Sequence, residues 1–387
     1  MDPDLCIRCR GIKNLCGLKS CPLLKYSDQM PRLTNVYSGL SPPDIFIGRF
    51  NYPKVMVSTL SSDTNIPEKL YPLSLDDILK YRTSLYRIGN VQRVDRQSKM
   101  IEKIMEVSLS IASLEINADV YGIDKRIEIN HISTPMGPKV IARNIDIVGE
   151  PKIPRRIDSI FNDYDIDSMN AVWEIYIHGF SNEYITRLLS GGTLGRKIDR
   201  KLVPTRWAIT AVDDILAKKL IDRIKEYNPL ENIIYAENEY MWNKFHIMLL
   251  PGTWSFEMIE NWYGRNYFDI DAFKSGDYEK YEGRKKYADI VGGAYYAARL
   301  GVLEFLNKIE RQASVIVYRT IEKDYRIPLG VWVIRETVRD AMKKATILNA
   351  KNIIEIENMD KNLKGIFLRS RTSREMYKQR RLDYYER

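Results

Sequence analysis

Hydrophobic positions along this chain switch repeatedly between a period of two and a period near 3.6, and the switches outline its elements. The run DIFIGRFNYPKVMVSTL from Asp44 is apolar and β-branched. Gly48 and Pro53 punctuate it, which predicts strands joined by tight turns. Residues 73–115 take helical spacing. Ser74 and Asp76 are placed to cap LDDILKYRTSLYRIG, with Leu75, Ile78, Leu79 and Leu85 on one face. Between Gln97 and Ile116, the residues Ile101, Ile104, Met105, Val107, Leu109 and Ile111 predict a second helix. Residues 117–152 return to strand patterning in ADVYGI, RIEINHI and KVIARNIDIV, and His131 opens the stiff loop HISTPMGP.

Further on, LVPTRWAITAVDD leads into a helix capped at Thr210 or Asp213. The charged, Gly-containing stretch 269–289 reads as a surface connection between domains. GGAYYAARLGVLEFLNKIERQ predicts a helix with a stripe of Tyr296, Leu300, Leu303 and Leu306. ASVIVYRTI predicts a buried strand, and LGVWVIRETVRDAMKKA a strand running into a helix. The expected fold class is α+β. A cysteine knuckle at 1–25 precedes a larger mixed α/β N-terminal domain at 26–270. A smaller α/β C-terminal domain at 271–365 and a basic tail at 366–387 follow.

Composition supports this picture. A chain of 387 residues, 44% hydrophobic, has room for two packed cores. Its longest apolar runs, such as IMLL from Ile247, fall far short of the ~18 residues that cross a bilayer. No basic stretch followed by an apolar run opens the chain, so the expectation is a cytosolic protein with no membrane partner. Net charge is +9, and the 27 residues from Lys361 hold nine Lys or Arg against three Asp or Glu. Two thirds of the excess therefore lies in one segment, which suits a polyanion such as nucleic acid or simply a solvated tail. Only five glutamines beside abundant Lys, Arg, Ile and Tyr fit a protein adapted to heat.

All four cysteines fall in the first 21 residues, in CIRCRGIKNLCGLKSCP. Cys6, Cys9, Cys16 and Cys21 form a C-x2-C-x6-C-x4-C array, in which two close pairs on short loops converge on one tetrahedral ion. Zn2+ is the expected occupant, with an iron–sulfur cluster the competitor. Four thiolates close the coordination sphere, so such a site shapes a fold or a surface and does not activate water. Arg8, Arg10, Lys13 and Lys19 stud it, which suits nucleic acid or an acidic partner as well as a plain staple.

Other chemistry is sparser. Gly191, Gly192 and Gly195 with Arg196 and Lys197 have the composition to cradle a phosphate, without the Gly-Lys-Ser/Thr of a P-loop. Arg206 beside Trp207 suits stacking on a base, pairing with a phosphate, or packing within the domain. DYDID at 163–167 lacks an EF-hand's glycine and distal Glu and reads as a helix cap. Asp213, Asp214, His246 and Glu257 are weak acid–base candidates among only three histidines in the chain. Nucleophile-elbow, paired-carboxylate and kinase signatures are missing.

The strings GRFNYPKV, RKLVPTRWAITAVDD, LLPGTWSFEM, GGAYYAARLGVLEFL, RQASVIVYR and PLGVWVIRETVR follow the knuckle in order. With it they resemble the archaeal NreA family of DNA repair proteins from end to end. The resemblance implies a role in repairing damaged DNA, a zinc element at the knuckle, and association with the sliding clamp (PCNA) through the C-terminus. It implies no particular reaction. Clamp-binding peptides follow Q-x-x-h-x-x-a-a, with h aliphatic and a aromatic. Gln379, Leu382 and Tyr385 match three anchors, while Glu386 stands at the fourth. Alternative expectations are a DNA-processing enzyme (a nuclease or base-processing activity) using Arg206, Asp213, Asp214, His246 and Glu257, and a zinc-containing RNA-binding protein.

Overall fold

The computed structural model describes Leu15, Gly17 and residues 36–41, 44–62, 70–124, 136–262, 275–325 and 327–378. Cys6, Cys9, Cys16 and Cys21, the segment RIEINHI with His131, and Gln379, Leu382 and Tyr385 lie outside these residues. The chain forms two compact units, Met1–Leu216 with Arg326–Leu329, and Ala217–Tyr325 with Gly330–Arg387. Together they carry two six-stranded sheets and, among the described residues, ten α-helices, a mixed α+β architecture.

The first unit is built on β1 (Val36–Ser41), β2 (Ile45–Ile47), β3 (Lys54–Ser61), β4 (Tyr86–Arg93), β5 (Leu114–Asp124) and β6 (Lys139–Val148). They lie in the order β1-β5-β6-β4-β3-β2, with β4 and β6 parallel and every other pair antiparallel. Helix α1 (Leu75–Ser84) starts where Ser74 accepts the Asp77 N–H, as the capping pattern predicts. Helix α2 (Lys99–Leu109) is capped by Ser98, and its Met100, Ile101, Ile104 and Val107 pack with Val55, Val57, Ile88 and Val140 of the sheet. Each such buried aliphatic side chain contributes roughly 1.5–3 kcal/mol relative to exposure.

Helices α3 (Arg155–Asn162), α4 (Ser168–Ile177) and α5 (Asn182–Ser190) follow. Asp167 of DYDID caps α4 by accepting the N–H groups of Met169 and Asn170. Helix α6 (Thr205–Ile224) begins five residues earlier than the expected cap at Thr210. Pro204 explains the difference. It has no N–H to satisfy, and its carbonyl accepts the Ala208 N–H at 3.0 Å, so the first turn forms at once.

The second unit's strands are β7 (Ile233–Tyr240), β8 (Asn243–Leu250), β9 (Ser255–Trp262), β10 (Gly276–Glu279), β11 (Ser314–Ile321) and β12 (Thr346–Leu348), ordered β10-β9-β11-β8-β7-β12. Strand β11 runs parallel to β9 and antiparallel to β8, and all eight of its residues are buried. Helices cover both faces of the sheet. Tyr295 of α7 (Gly293–Lys308) meets Phe256 edge-on at 5.0 Å, and Asn238 of β7 bonds to Thr337 and Asp340 of α8 (Trp332–Lys343). On the other face, Leu363, Ile366 and Phe367 of α9 (Lys361–Arg369) join Met248, Ile316 and Tyr318. Helix α10 (Arg371–Lys378) follows at once.

Several expectations change here. Residues 269–289 were expected to connect domains, yet within them β10 pairs with β9, placing Tyr278 opposite Glu257. No strand forms at Leu329–Val331, because Pro328 lacks an N–H and Gly330 has φ +94°. Helix α7 is buried well beyond its predicted stripe, taking Tyr295, Ala298 and Arg299 inside as well. The stretch from residue 366 is helical and packed as far as Lys378, since Leu363, Ile366 and Phe367 lie at helical spacing and find the sheet. Among the described residues, no helix is long and apolar enough to cross a membrane.

Candidate nucleic-acid interface

Two strings far apart in sequence, GRFNYPK and RKLVPTRW, come together in the first unit. The β2–β3 connection is a tight reversal in which the Gly48 N–H bonds to the Met56 carbonyl at 2.8 Å and the Lys54 N–H to that of Asn51 at 2.9 Å. Asn51 turns the corner at φ +63°, a conformation asparagine tolerates better than most residues. The corner holds Phe50, 62% exposed, and Tyr52, 43% exposed.

Trp207, 46% exposed in the first turn of α6, lies beside it, its ring centroid 5.1 Å from that of Tyr52. Thr205 ties the helix start to the sheet. Its Oγ1 accepts the Ile47 N–H at 2.9 Å and bonds to Ser190 Oγ at 3.0 Å. The Val94 N–H donates to the Pro53 carbonyl, and the Leu202 N–H to that of Val94, which joins the same two strings through β4's end.

Charge accompanies the rings. The Arg49 guanidinium carbon sits 4.9 Å from the centre of the Phe50 ring. Lys54, Lys201 and Arg206 are exposed, and neither string contains an Asp or Glu. Asp95, next to Val94, is held by two bonds from Arg93 at 3.0 and 2.8 Å, which keep its carboxyl below the usual carboxylate range. Aromatic faces beside exposed cations suit a nucleic-acid strand: the rings meet bases and the cations meet phosphates.

The glycine loop is built differently from the expected cradle. Its Gly191, Gly192 and Thr193 N–H groups donate to the carbonyls of Arg187, Leu189 and Leu188, closing the end of α5. Those amides are thus already taken by the helix terminus. Gly192 (φ +72°) and Gly195 (φ +103°) are needed where they stand, because an added Cβ would meet the Lys201 backbone at 2.8 Å or Ser168 Oγ at 2.4 Å. Arg196 and Lys197 remain exposed beyond the loop. Arg196 pairs with Asp199 at 2.7 Å, and the Lys197 ammonium lies 4.3 Å over the Tyr164 ring.

The acid–base candidates each have their own surroundings within their unit. Asp213 is fully buried in the interior of α6 and Asp214 half-buried beside it, so neither caps the helix. His246 stands opposite Tyr318, whereas Glu257 stands opposite Ile316 on the far side of β11. His246 Nδ1 lies 2.7 Å from the Tyr235 hydroxyl. Burial first, then the Lys244 charge, lowers its pKa to about 4.

Glu257 is a helix cap. Its Oε1 accepts the Arg371 N–H at 2.9 Å and its Oε2 the Thr372 N–H at 2.7 Å, at the start of α10. Burial pushes the carboxyl upward, while those two bonds pull the other way. Glu257→Ala is expected to fray α10 and lower stability by about 2 kcal/mol. Thermal unfolding and faster exchange of the Arg371 and Thr372 amides would report it, and unchanged exchange would remove the capping role.

Among the described residues, no group of three or more His, Cys, Asp or Glu is placed to hold a metal ion. Phe50, Tyr52 and Arg49 are the residues that reading by motif missed. The available signal was two aromatic rings set in a Gly/Asn/Pro turn, where polar residues are usual.

Comparison with known proteins extends over nearly the whole chain. Residues 15–269 match the family model described as archaeal Nre, N-terminal, and residues 279–385 the one described as archaeal Nre, C-terminal. The DNA repair protein NreA of Archaeoglobus fulgidus is 35% identical over 350 residues, covering 87% of this chain and 88% of that protein. The DNA repair protein NreB of the same organism is 35% identical over 345 residues, covering 86% and 87%. The DNA repair protein NreA of Haloferax volcanii is 34% identical over 330 residues, covering 80% and 78%. No solved structure matches the chain. The chain therefore belongs to the archaeal Nre family, which the two family-model matches and its identity to those three repair proteins both establish.

Proposed function

We propose that this protein is a DNA repair factor that binds the sliding clamp, PCNA, through its C-terminal residues and contacts DNA through basic, aromatic surface. The observation that carries the repair role is end-to-end similarity to proteins named as DNA repair proteins, at 35% identity over 87% of the chain. Gln379, Leu382 and Tyr385 supply the clamp anchors, and the excess of Lys and Arg after Lys361 supports attraction to a polyanion. Helix α10, held at its start by Glu257, leads into that segment. Arg206 and Trp207 are the proposed DNA contacts, with Arg196 and Lys197 as additional phosphate contacts.

Cys6, Cys9, Cys16 and Cys21 are proposed to hold Zn2+, supported by their spacing and by the absence of any other cysteine in the chain. A closed four-thiolate ion would act on shape, organising Arg8 and Arg10 beside it.

Deleting Gln379–Arg387 tests the clamp assignment. The truncated chain is expected to bind purified clamp at least about tenfold more weakly in a pull-down or titration. Its thermal unfolding should be unchanged, because the deletion begins after the last described helix. Full clamp binding by the truncated chain would overturn the assignment.

A further inference from the structure

We infer that the surface formed by Phe50, Tyr52 and Trp207 is a stacking platform for the unpaired bases of single-stranded DNA. The inference rests on the DNA-contact reading above and narrows it to a substrate class. Three large aromatic side chains stand 62%, 43% and 46% exposed within two strings that hydrogen bonds lock together. Soluble proteins seldom leave such rings clustered and bare without a partner. A fold with no use for them would place polar residues at a turn and at an exposed helix start.

The chemistry around the rings selects the partner. Arg49, Lys54, Arg200, Lys201 and Arg206 are the cations of these strings, which contain no Asp or Glu. Arg49 already lies 4.9 Å from the Phe50 ring centre, setting the charge that a phosphate needs beside the surface that a base needs. A duplex buries the faces of its bases and offers only groove edges and phosphates. An unpaired strand offers both faces and phosphates, which is what alternating rings and cations can bind. The Tyr52 and Trp207 rings are tilted by 49° at 5.1 Å, so they do not close on each other as a parallel stack. The backbone beneath is fixed by Thr205, Pro53 and Val94, so little ordering accompanies binding.

The test uses the full chain and three probes of equal length at matched salt: an oligothymidylate, a blunt DNA duplex and an oligouridylate. Phe50→Ala and Trp207→Ala are each expected to weaken oligothymidylate binding about tenfold. Phe50→Ala should leave duplex affinity unchanged. The salt dependence of single-strand binding should also persist, because stacking releases no counterions. Phe50→Ala serves as the second variant because that side chain is the most exposed of the three, and thermal unfolding checks that both variants fold.

Unchanged oligothymidylate affinity in both variants would overturn the platform, and so would tighter binding of oligouridylate or of duplex by the parent chain. If the parent binds duplex but the aromatic variants change nothing, the platform fails while the DNA-contact reading stands. If the parent binds none of the three probes, the DNA-contact reading falls with it.

Discussion

Replacing Glu279 with alanine is expected to destabilise the second unit by about 3–5 kcal/mol. Glu279 and Arg299 form an ion pair at 2.6 Å with side chains 0% and 1% exposed. The other carboxylate oxygen accepts the Trp254 Nε1–H at 3.2 Å. The Arg299 guanidinium carbon also lies 5.4 and 5.3 Å from the ring centres of Tyr295 and Tyr296, which offer a weaker, electron-rich environment. Removing the carboxylate takes away the countercharge of a guanidinium that is buried in the interior. The loss is a large share of the 5–15 kcal/mol that typically holds a domain together.

Urea unfolding followed by amide exchange in β9, β10 and α7 would measure it. The double variant Glu279→Ala/Arg299→Met should recover most of the loss, because it removes the stranded charge as well. A loss under about 1 kcal/mol from the single change would place the pair in the range of solvated surface bridges and overturn this account.

The second large effect is one of pH. His246 is packed between Tyr235 and Tyr318, with ring centroids 6.3 and 6.2 Å away. Burial and Lys244 hold its pKa near about 4 against an ordinary 6.5, although Glu237 and Asp360 pull it upward. The unfolded chain therefore takes up a proton between pH 6.5 and 4 that the folded chain refuses. Stability is present above pH 6.5 and is lost as pH falls through that window, by about 3 kcal/mol in full.

Glu257 acts in the opposite sense. Its carboxyl is raised by burial, so its contribution is present at low pH and is lost as pH rises through the raised value. Many carboxylates titrate in the same range, so the informative quantity is the difference between the parent chain and His246→Gln. Urea midpoints at pH 7 and pH 4.5 should separate by less in the variant. Equal separations would show that His246 is protonated in the folded state.

These two effects depend on residues that were invisible as a pair or were read for the wrong role. Glu279 sits in a stretch whose charge and glycines read as a surface connection. It is buried because β10 pairs with β9, and a partner strand gives no mark in the local sequence. Arg299 lies outside the predicted apolar stripe of its helix, and only the placement of that carboxylate shows why it is buried. Glu257 and His246 were neighbours in motif only. Strand β11 separates them, and each is employed by a different element. Phe50 and Trp207 lie 157 positions apart along the chain, and only the Ile47–Thr205 bond and its companions set their strings side by side.

The sequence by itself determined the elements whose signals are local. The Ser74 and Asp167 caps, the helix of Met100 to Val107, the buried β11 and the α+β class all follow from a hydroxyl or carboxylate meeting an orphan N–H, or from side chains repeating at the period of their element. Family membership was legible too, because long strings in order carry more information than any single motif. Only the tertiary structure decided which charges are buried as pairs, which acid caps a helix and which aromatic rings form one surface. Those outcomes depend on contacts between residues tens to hundreds of positions apart, and no short-range period encodes them.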